Sequence, residues 1–157
     1  MTNTSQEVTK YDVCFVQIGN SCEEATEVLK LAFEAMDTHQ LEPIWITLEE
    51  CLKISKNEPK LFVVDPFEGI AFEHLKNLKC RIVGPLCILY CLQYGDVLPK
   101  RSFPIYSVSM RKITVSCSNI KTEMRDDLST KVQLMGGFFS KDLTKSVTHL
   151  VVGKCFL

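Results

Sequence analysis

The residue types in this chain that most readily do chemistry are eight cysteines and three histidines. Thiols could form disulfides or, with imidazoles, hold a zinc ion, and zinc sites usually show short, regular ligand spacings. No Cys-x2-Cys pair occurs, and Cys87 and Cys91 lie four residues apart within an apolar run. Most of the cysteines have aliphatic or phenylalanine neighbours, which favours buried, reduced thiols in an intracellular compartment. We therefore predict no metal site and no cofactor.

A catalytic thiol would need an activating base or cation. Cys117 and His149 could meet on adjacent strands, but no helix start or cationic cluster in the sequence would make Cys117 a reactive thiolate. His149 is interpreted as a hydrogen-bonded structural histidine, and His39 and His74 are expected to be exposed. The glycine-rich loops that cradle nucleotide phosphates are absent. The chain is predicted not to be an enzyme.

The charge of the chain is balanced and dispersed. Eighteen lysines and arginines accompany nineteen acidic residues, which gives a formal net charge of -1 without a basic block. Direct, sequence-specific contact with nucleic acid is therefore not expected, since it normally requires a basic stripe. No apolar run reaches the roughly 18 residues of a membrane-spanning helix, and the polar start of the chain lacks the apolar core of a secretory signal. No membrane partner is predicted.

The sequence predicts an α/β unit at residues 11–95, which is preceded by a polar, flexible tail at residues 1–10. Strand-like and helix-like patterns alternate through this unit, which predicts a small parallel four-stranded sheet flanked by helices. Its first strand, Val13–Ile18, is almost continuously apolar, as in a strand that is buried on both faces.

Three local signals predict where helices of this unit lie. Ser21-x-x-Glu24 and Thr47-x-x-Glu50 match the capping box, whose two side chains bind free amides at a helix start. Residues 86–92 are apolar all round, which predicts a helix buried on every side.

A second, shorter unit is predicted at residues 112–157, after a proline-containing connector at residues 96–111 that packs between the two units. Its first strand is Ile113–Cys117, and a helix follows at Glu123–Met135, ended by Gly136-Gly137 because glycine readily adopts the left-handed C-cap conformation. A further strand is expected at Val147–Val152. The helical stripe is formed by Met124, Leu128, Val132 and Met135.

These residues resemble the BRCT repeat family. Met135-Gly136-Gly137 and Val147–Gly153 match its most recognisable segments, in the family's order. Leu61–Pro85, with Asp65-Pro66-Phe67 and Cys80–Pro85, resembles the divergent N-terminal BRCT module of the DNA topoisomerase II-binding protein 1 family. Cys80–Pro85 is also similar to the N-terminal modules of a Rho guanine-nucleotide exchange factor, epithelial cell transforming 2, which ranks second.

The resemblance implies a nuclear scaffold that binds phosphorylated proteins in DNA replication initiation and the DNA-damage checkpoint. The implied partners are the phosphorylated tail of the checkpoint clamp and a treslin-like replication factor. In the family a hydroxyl, the next backbone amide and basic side chains hold the phosphate, which matches what a phosphate requires. By the same match, Ser118 provides the hydroxyl, Asn119 the amide, and Arg125 a basic residue that can assist.

The sequence departs from the family pattern in its second unit. By the family match the key lysine of the pocket falls just beyond Leu157, and Lys154 is not assigned that role. The chain is therefore expected to be a fragment or short isoform whose second BRCT module is truncated, with a stable first module and a less stable second one. No phosphate pocket is expected in the first module. A phosphate-independent protein-interaction module remains the alternative function.

Overall fold

The computed structural model describes residues 12–154, apart from the side chain of Cys22, so the tail predicted at residues 1–10 and Cys155 lie outside the described residues. Strands and helices alternate through most of the first unit, as the sequence patterns predict. Its elements are β1 (Asp12–Val16), α1 (Glu27–Thr38), β2 (Ile44–Ile46), α2 (Leu48–Leu52), β3 (Lys60–Val63), α3 (Ile70–Asn77), β4 (Arg81–Val83) and α4 (Pro85–Tyr94). Those of the second unit are β5 (Thr114–Ser118), α5 (Thr122–Leu134), β6 (Phe138–Phe139) and β7 (His149–Val152).

The first unit contains the predicted four-stranded parallel sheet, in the order β2-β1-β3-β4. Successive residues of β1 point to opposite faces, and each face has its own hydrophobic core. Val13 and Phe15 belong to one core, and Cys14 and Val16 belong to the other. The continuous apolar run of this strand is thus explained by burial on both faces.

The two capping-box patterns have different outcomes. Thr47 and Glu50 form the complete box at the start of α2, as predicted. The prediction at Ser21-x-x-Glu24 is wrong, because residues 22–24 form a separate 3-10 turn and α1 starts only after Thr26. The Thr26 hydroxyl caps the Leu29 amide and also donates to the buried carboxylate of Asp65, which anchors the helix start at this later position.

The connector packs between the two units, as predicted. Ile105 is 2% exposed and forms a parallel bridge with Val83 at the edge of the first sheet. The amides of Tyr106 and Ser107 donate to the carbonyl of Leu134, at N···O distances of 2.7 and 3.1 Å. The connector therefore joins the β4 edge of the first unit to the end of α5 in the second.

The second sheet has the order β6-β5-β7, with all pairs parallel, and its residues are unevenly buried. Three central residues of β5 are buried, whereas all four residues of β7 are exposed. The predicted apolar stripe of α5 is buried only at Val132, and the side chain of Met124 is 64% exposed. Gly136, at a φ of 78°, follows the helix as predicted.

The helix α4 differs from its prediction, because it is buried on one side only. Cys87, Ile88 and Cys91 are buried, but Leu86 is 43% and Tyr94 61% exposed. Within residues 12–154, none of the helices has both the length and the apolarity needed to cross a bilayer.

Candidate functional site

The predicted phosphate-binding residues lie at the junction between β5 and α5. Ser118 is the last residue of β5 and is exposed, so its hydroxyl stands at the carboxyl end of the strand. It pairs with Val152 of β7, and its carbonyl accepts a hydrogen bond from the Gly153 amide at 3.0 Å. Parallel sheets commonly bind ligands at this end of their strands.

Asn119 turns the chain out of the strand. Its φ is 56°, a left-handed conformation that asparagine tolerates better than most residues. Its side-chain amide donates to the carbonyl of Lys154 at 3.3 Å. A Cβ atom at Gly153 would clash with the carbonyl oxygen of Asn119, so the backbone that follows β7 passes directly against this turn.

The helix α5 begins three residues after Asn119, at Thr122, and brings positive charge to the junction. Lys121 occupies the N-cap and makes no side-chain capping bond, so the first amides of the helix have no side-chain acceptor there. The half-buried Arg125 lies one turn into the helix, and its Nε is buried without a hydrogen-bond partner among the described residues. These donors favour an anion, whereas the acidic Glu123 of the same turn opposes one.

All three predicted residues thus belong to one strand–turn–helix segment. Ser118 and Asn119 are consecutive, and Arg125 follows on the first turn of α5. The contact with the backbone of Lys154 was not foreseen from the sequence. Gly153 could have indicated this contact, since a glycine at the end of a strand often marks a position where another backbone segment approaches closely.

The sheet register does not pair Cys117 with His149, because His149 lies opposite Val115. Cys117 is buried and lies opposite Val151, whereas His149 is exposed and its Nδ1 is 2.8 Å from the Thr148 hydroxyl. His149 is hydrogen-bonded, as predicted. Among the described residues, no group of three or more cysteines, histidines or carboxylates could hold a metal ion.

Of the other histidines, His39 is exposed, as predicted, but the prediction for His74 is wrong. His74 is half-buried, and its Nε2 lies 2.7 Å from the carbonyl of Ile54. It therefore connects α3 to the chain after α2, a structural role that requires a partner distant in sequence.

Six cysteines within the described residues are free and buried, as expected for small hydrophobic side chains. Burial raises the pKa of the Cys87 thiol to about 12 and that of the Cys51 thiol to about 11. Both thiols are therefore neutral and unreactive near neutral pH. The six are Cys14, Cys51, Cys80, Cys87, Cys91 and Cys117.

Comparison with known families agrees with this architecture. The family described as the TopBP1 BRCT0 domain matches residues 11–108, more than half of the chain. The chain belongs to this BRCT family. A second family, the twin BRCT domain, matches residues 113–155, which contain β5 to β7. BRCT domains are protein-interaction modules, and the BRCT0 match is followed by the segment that matches the twin BRCT domain and carries Ser118, Asn119 and Arg125.

The curated relatives include Protein ECT2 of Mus musculus, 40% identical, and Protein ECT2 of Homo sapiens, 38% identical, each over 92 residues. Those residues are 58% of this chain and 10% of each relative, so the match spans about a tenth of their length. ECT2 was the second resemblance seen in the sequence.

Similar solved structures include Rad4 BRCT1,2 in complex with a Crb2 phosphopeptide, which is 18% identical to this chain at a TM-score of 0.38. That likeness covers 92% of this chain and 75% of the Rad4 chain. Yeast Rtt107 is 12% identical at a TM-score of 0.48, over 91% of this chain and 35% of its own. At these scores the two structures add no functional argument.

Proposed function

We propose that this chain is a phosphopeptide-binding scaffold module that acts in the nucleus, in DNA replication initiation and the DNA-damage checkpoint. Its proposed partners are phosphorylated proteins, such as the tail of the checkpoint clamp and a treslin-like replication factor. The observation that carries the proposal is the Nε of the half-buried Arg125, which has no hydrogen-bond partner among the described residues. Arg125 lies on the first turn of α5, the helix that follows the exposed Ser118. A buried guanidinium nitrogen without an acceptor is costly unless a ligand supplies one.

The chemistry of the junction suits a phosphate. The Ser118 hydroxyl and the Asn119 amide can each donate a hydrogen bond to a phosphate oxygen, and Arg125 adds a permanent cation. Hydrogen bonds to charged groups contribute about 1.5–3 kcal/mol each. Removal of one such bond should therefore weaken phosphopeptide binding by about tenfold or more.

The test is fluorescence anisotropy with an oriented library of phosphoserine peptides and its unphosphorylated serine twin. The phosphorylated library should bind more tightly, and both Ser118→Ala and Arg125→Glu should remove the difference. Lys131→Glu is the matched control for charge reversal, because Lys131 is on the same helix and its side chain is 63% exposed. That variant should retain the preference for phosphate.

A second candidate is a phosphate-independent protein-interaction module, as at the N-terminus of a Rho guanine-nucleotide exchange factor. The identity of 38–40% to ECT2 favours this candidate, because the match extends over 92 residues, or 58% of this chain. It predicts equal binding of the phosphorylated and serine libraries, with no effect of Arg125→Glu. Such a result would refute the phosphopeptide proposal.

A further inference from the structure

A cleft of about 520 Å³ opens on the first module, at the amino ends of two strands rather than at the carboxyl end where Ser118 lies. Its volume is within the roughly 300–1,000 Å³ of ligand sites. Five of its nine lining residues are basic, and one is acidic. The lining residues are Asn57, Glu58, Pro59, Lys60, Lys79, Arg81, Lys100, Arg101 and Ser102.

Two of these cations lie at the amino ends of neighbouring strands. Lys60 is the first residue of β3 and Arg81 the first residue of β4, and Leu61 pairs with Arg81 across the two strands. Because side chains alternate along a strand, Lys60 and Arg81 project from opposite faces at this amino end of the sheet, and both reach the cleft there. Lys79 precedes β4 with a φ of 57°, a left-handed conformation that glycine adopts at lower cost. This conformation ends α3, which precedes it, and leaves the exposed Lys79 at the rim of the cleft.

The walls of the cleft are held by bonds to distant segments. The Arg81 guanidinium donates to the carbonyls of Leu98 and Pro99, at 3.2 and 3.3 Å, which ties the connector to β4. The Asn57 side chain donates to the carbonyl of Lys79 at 3.0 Å and closes the opposite wall. A site whose walls are fixed in advance loses less entropy when it binds a ligand.

Two further contacts involve charged side chains that line the cleft. The Arg101 guanidinium lies over the ring of Phe138 in the second module, 3.8 Å from its centroid. Glu58, the acidic lining residue, pairs with Lys60 at 3.0 Å, and this hydrogen bond raises the pKa of Lys60. Five cations and one anion therefore share one concave surface in a chain whose formal net charge is -1. A concave site of one sign concentrates ligands of the opposite sign.

We propose that this cleft binds an acidic peptide segment through its side-chain carboxylates. Discrete carboxylates suit separate lysine and arginine donors, and arginine binds carboxylate in a bidentate geometry. The positive surface is a bounded cleft rather than a stripe, and Glu58 would repel a continuous phosphodiester backbone, so a nucleic acid fits less well. The site needs no phosphate and is separate from the Ser118 junction.

The experiment measures anisotropy of a labelled polyglutamate peptide and of an oligothymidylate with the same net charge, at one salt concentration. The protein should bind polyglutamate more tightly, and added salt should weaken the complex. Lys79→Glu/Lys100→Glu should reduce the affinity about tenfold or more, because two attractive contacts become repulsive. Lys141→Glu/Lys145→Glu is the matched control, since both lysines are exposed and line no part of the cleft.

Two variants keep the outcomes distinct. Ser118→Ala should leave polyglutamate binding unchanged, so a failure of the phosphopeptide proposal would not affect this one. Lys100→Gln, a milder change at an exposed residue, should weaken binding even if the double variant unfolds. The proposal is overturned if neither probe binds, if oligothymidylate binds more tightly, or if the cleft and control variants have the same affinity.

Discussion

At the scale of single residues, the buried carboxylate of Asp65 joins two parts of the first module to the connector. It is 6% exposed and accepts hydrogen bonds from the hydroxyls of Thr26 and Tyr106. Thr26 starts α1, Asp65 follows β3, and Tyr106 belongs to the connector. A buried carboxylate is tolerated only while such donors remain, so each hydroxyl should contribute measurably to stability.

Replacement of Tyr106 by phenylalanine tests this. Tyr106→Phe retains the ring but removes the donor at 3.1 Å from Asp65, and should lower the free energy of unfolding by about 1.5–3 kcal/mol. Urea unfolding followed by circular dichroism gives the change. Tyr94→Phe is the control, because Tyr94 is 61% exposed and should be near neutral. Equal effects of the two variants would show that the Tyr106 hydroxyl has no structural role.

The buried thiols predict a loss of stability at alkaline pH. Burial raises the pKa of Cys87 in the folded protein to about 12, above the ordinary 9.0, and its Sγ donates to the Ile105 carbonyl at 3.4 Å. Because the unfolded thiol releases its proton first, this contribution is complete below pH 9 and is lost as the pH rises towards 12.

The measurement is the free energy of unfolding between about pH 8 and pH 10 in a reducing buffer. Wild-type stability should fall across this range, and Cys87→Ala should reduce the slope even if it also lowers the absolute value through lost packing. An identical slope in the variant would mean that other groups cause the pH dependence.

At the scale of elements, the two threonine N-caps have unequal environments. Thr47 caps only its own short helix, through the box with Glu50. Thr26 caps α1 and also donates to Asp65, which connects its helix to the sheet. The cost of removing a cap should therefore depend on what else the side chain binds.

The matched substitutions are Thr47→Ala and Thr26→Ala. Loss of the first should cost about 0.5–2 kcal/mol, the usual range for an N-cap. Loss of the second should cost more, because the buried Asp65 also loses a donor. Denaturant melts of both variants rank them, and the opposite order would contradict the anchoring role of Thr26.

At the scale of the whole molecule, burial is concentrated in the first module. Both faces of its sheet have a hydrophobic core, with fully buried residues such as Phe15 and Phe62. In the second module, β7 is exposed along its length and α5 buries one residue, Val132. Regions with few buried apolar contacts open more easily than well-packed cores.

Hydrogen exchange should resolve this difference. Amides of β1 and β3 should exchange slowest, and those of β7 should exchange before them. Limited proteolysis should likewise leave a resistant fragment over about residues 11–100, the part that contains most residues of both cores. Uniform protection of the two sheets, or digestion of the first module before the second, would contradict the expected order.

Local patterns were sufficient to predict most of the fold. The apolar run at Val13–Ile18, the Thr47 capping box and Gly136-Gly137 each depend on neighbours within a few residues, and the strand, helix start and helix end were found near them. Ser118, Asn119 and Arg125 were chosen by resemblance to the BRCT family, and the structure places them at one junction. Their role in phosphate binding remains a prediction.

The predictions that were wrong depended on partners far along the chain. α1 starts after Thr26 because Asp65, 39 residues away, binds its hydroxyl, and His74 is half-buried because it lies against the Ile54 carbonyl, 20 residues earlier. Met124 lies in α5, as its helical spacing predicted, but its side chain is exposed rather than part of a buried stripe.

Most elements and their order could be predicted from the chain alone, because helix and strand periodicities depend on residues that are close together in sequence. The apolar neighbours of most cysteines likewise predicted burial, and six cysteines within the described residues are buried. The grouping of Lys60, Arg81 and Arg101 in one cleft, by contrast, depends on the folded arrangement of the chain. These residues are dispersed in the sequence. Lys60 and Arg81 come together because parallel strands have their amino ends at the same end of the sheet, and Arg101 joins them because the connector folds back across that end.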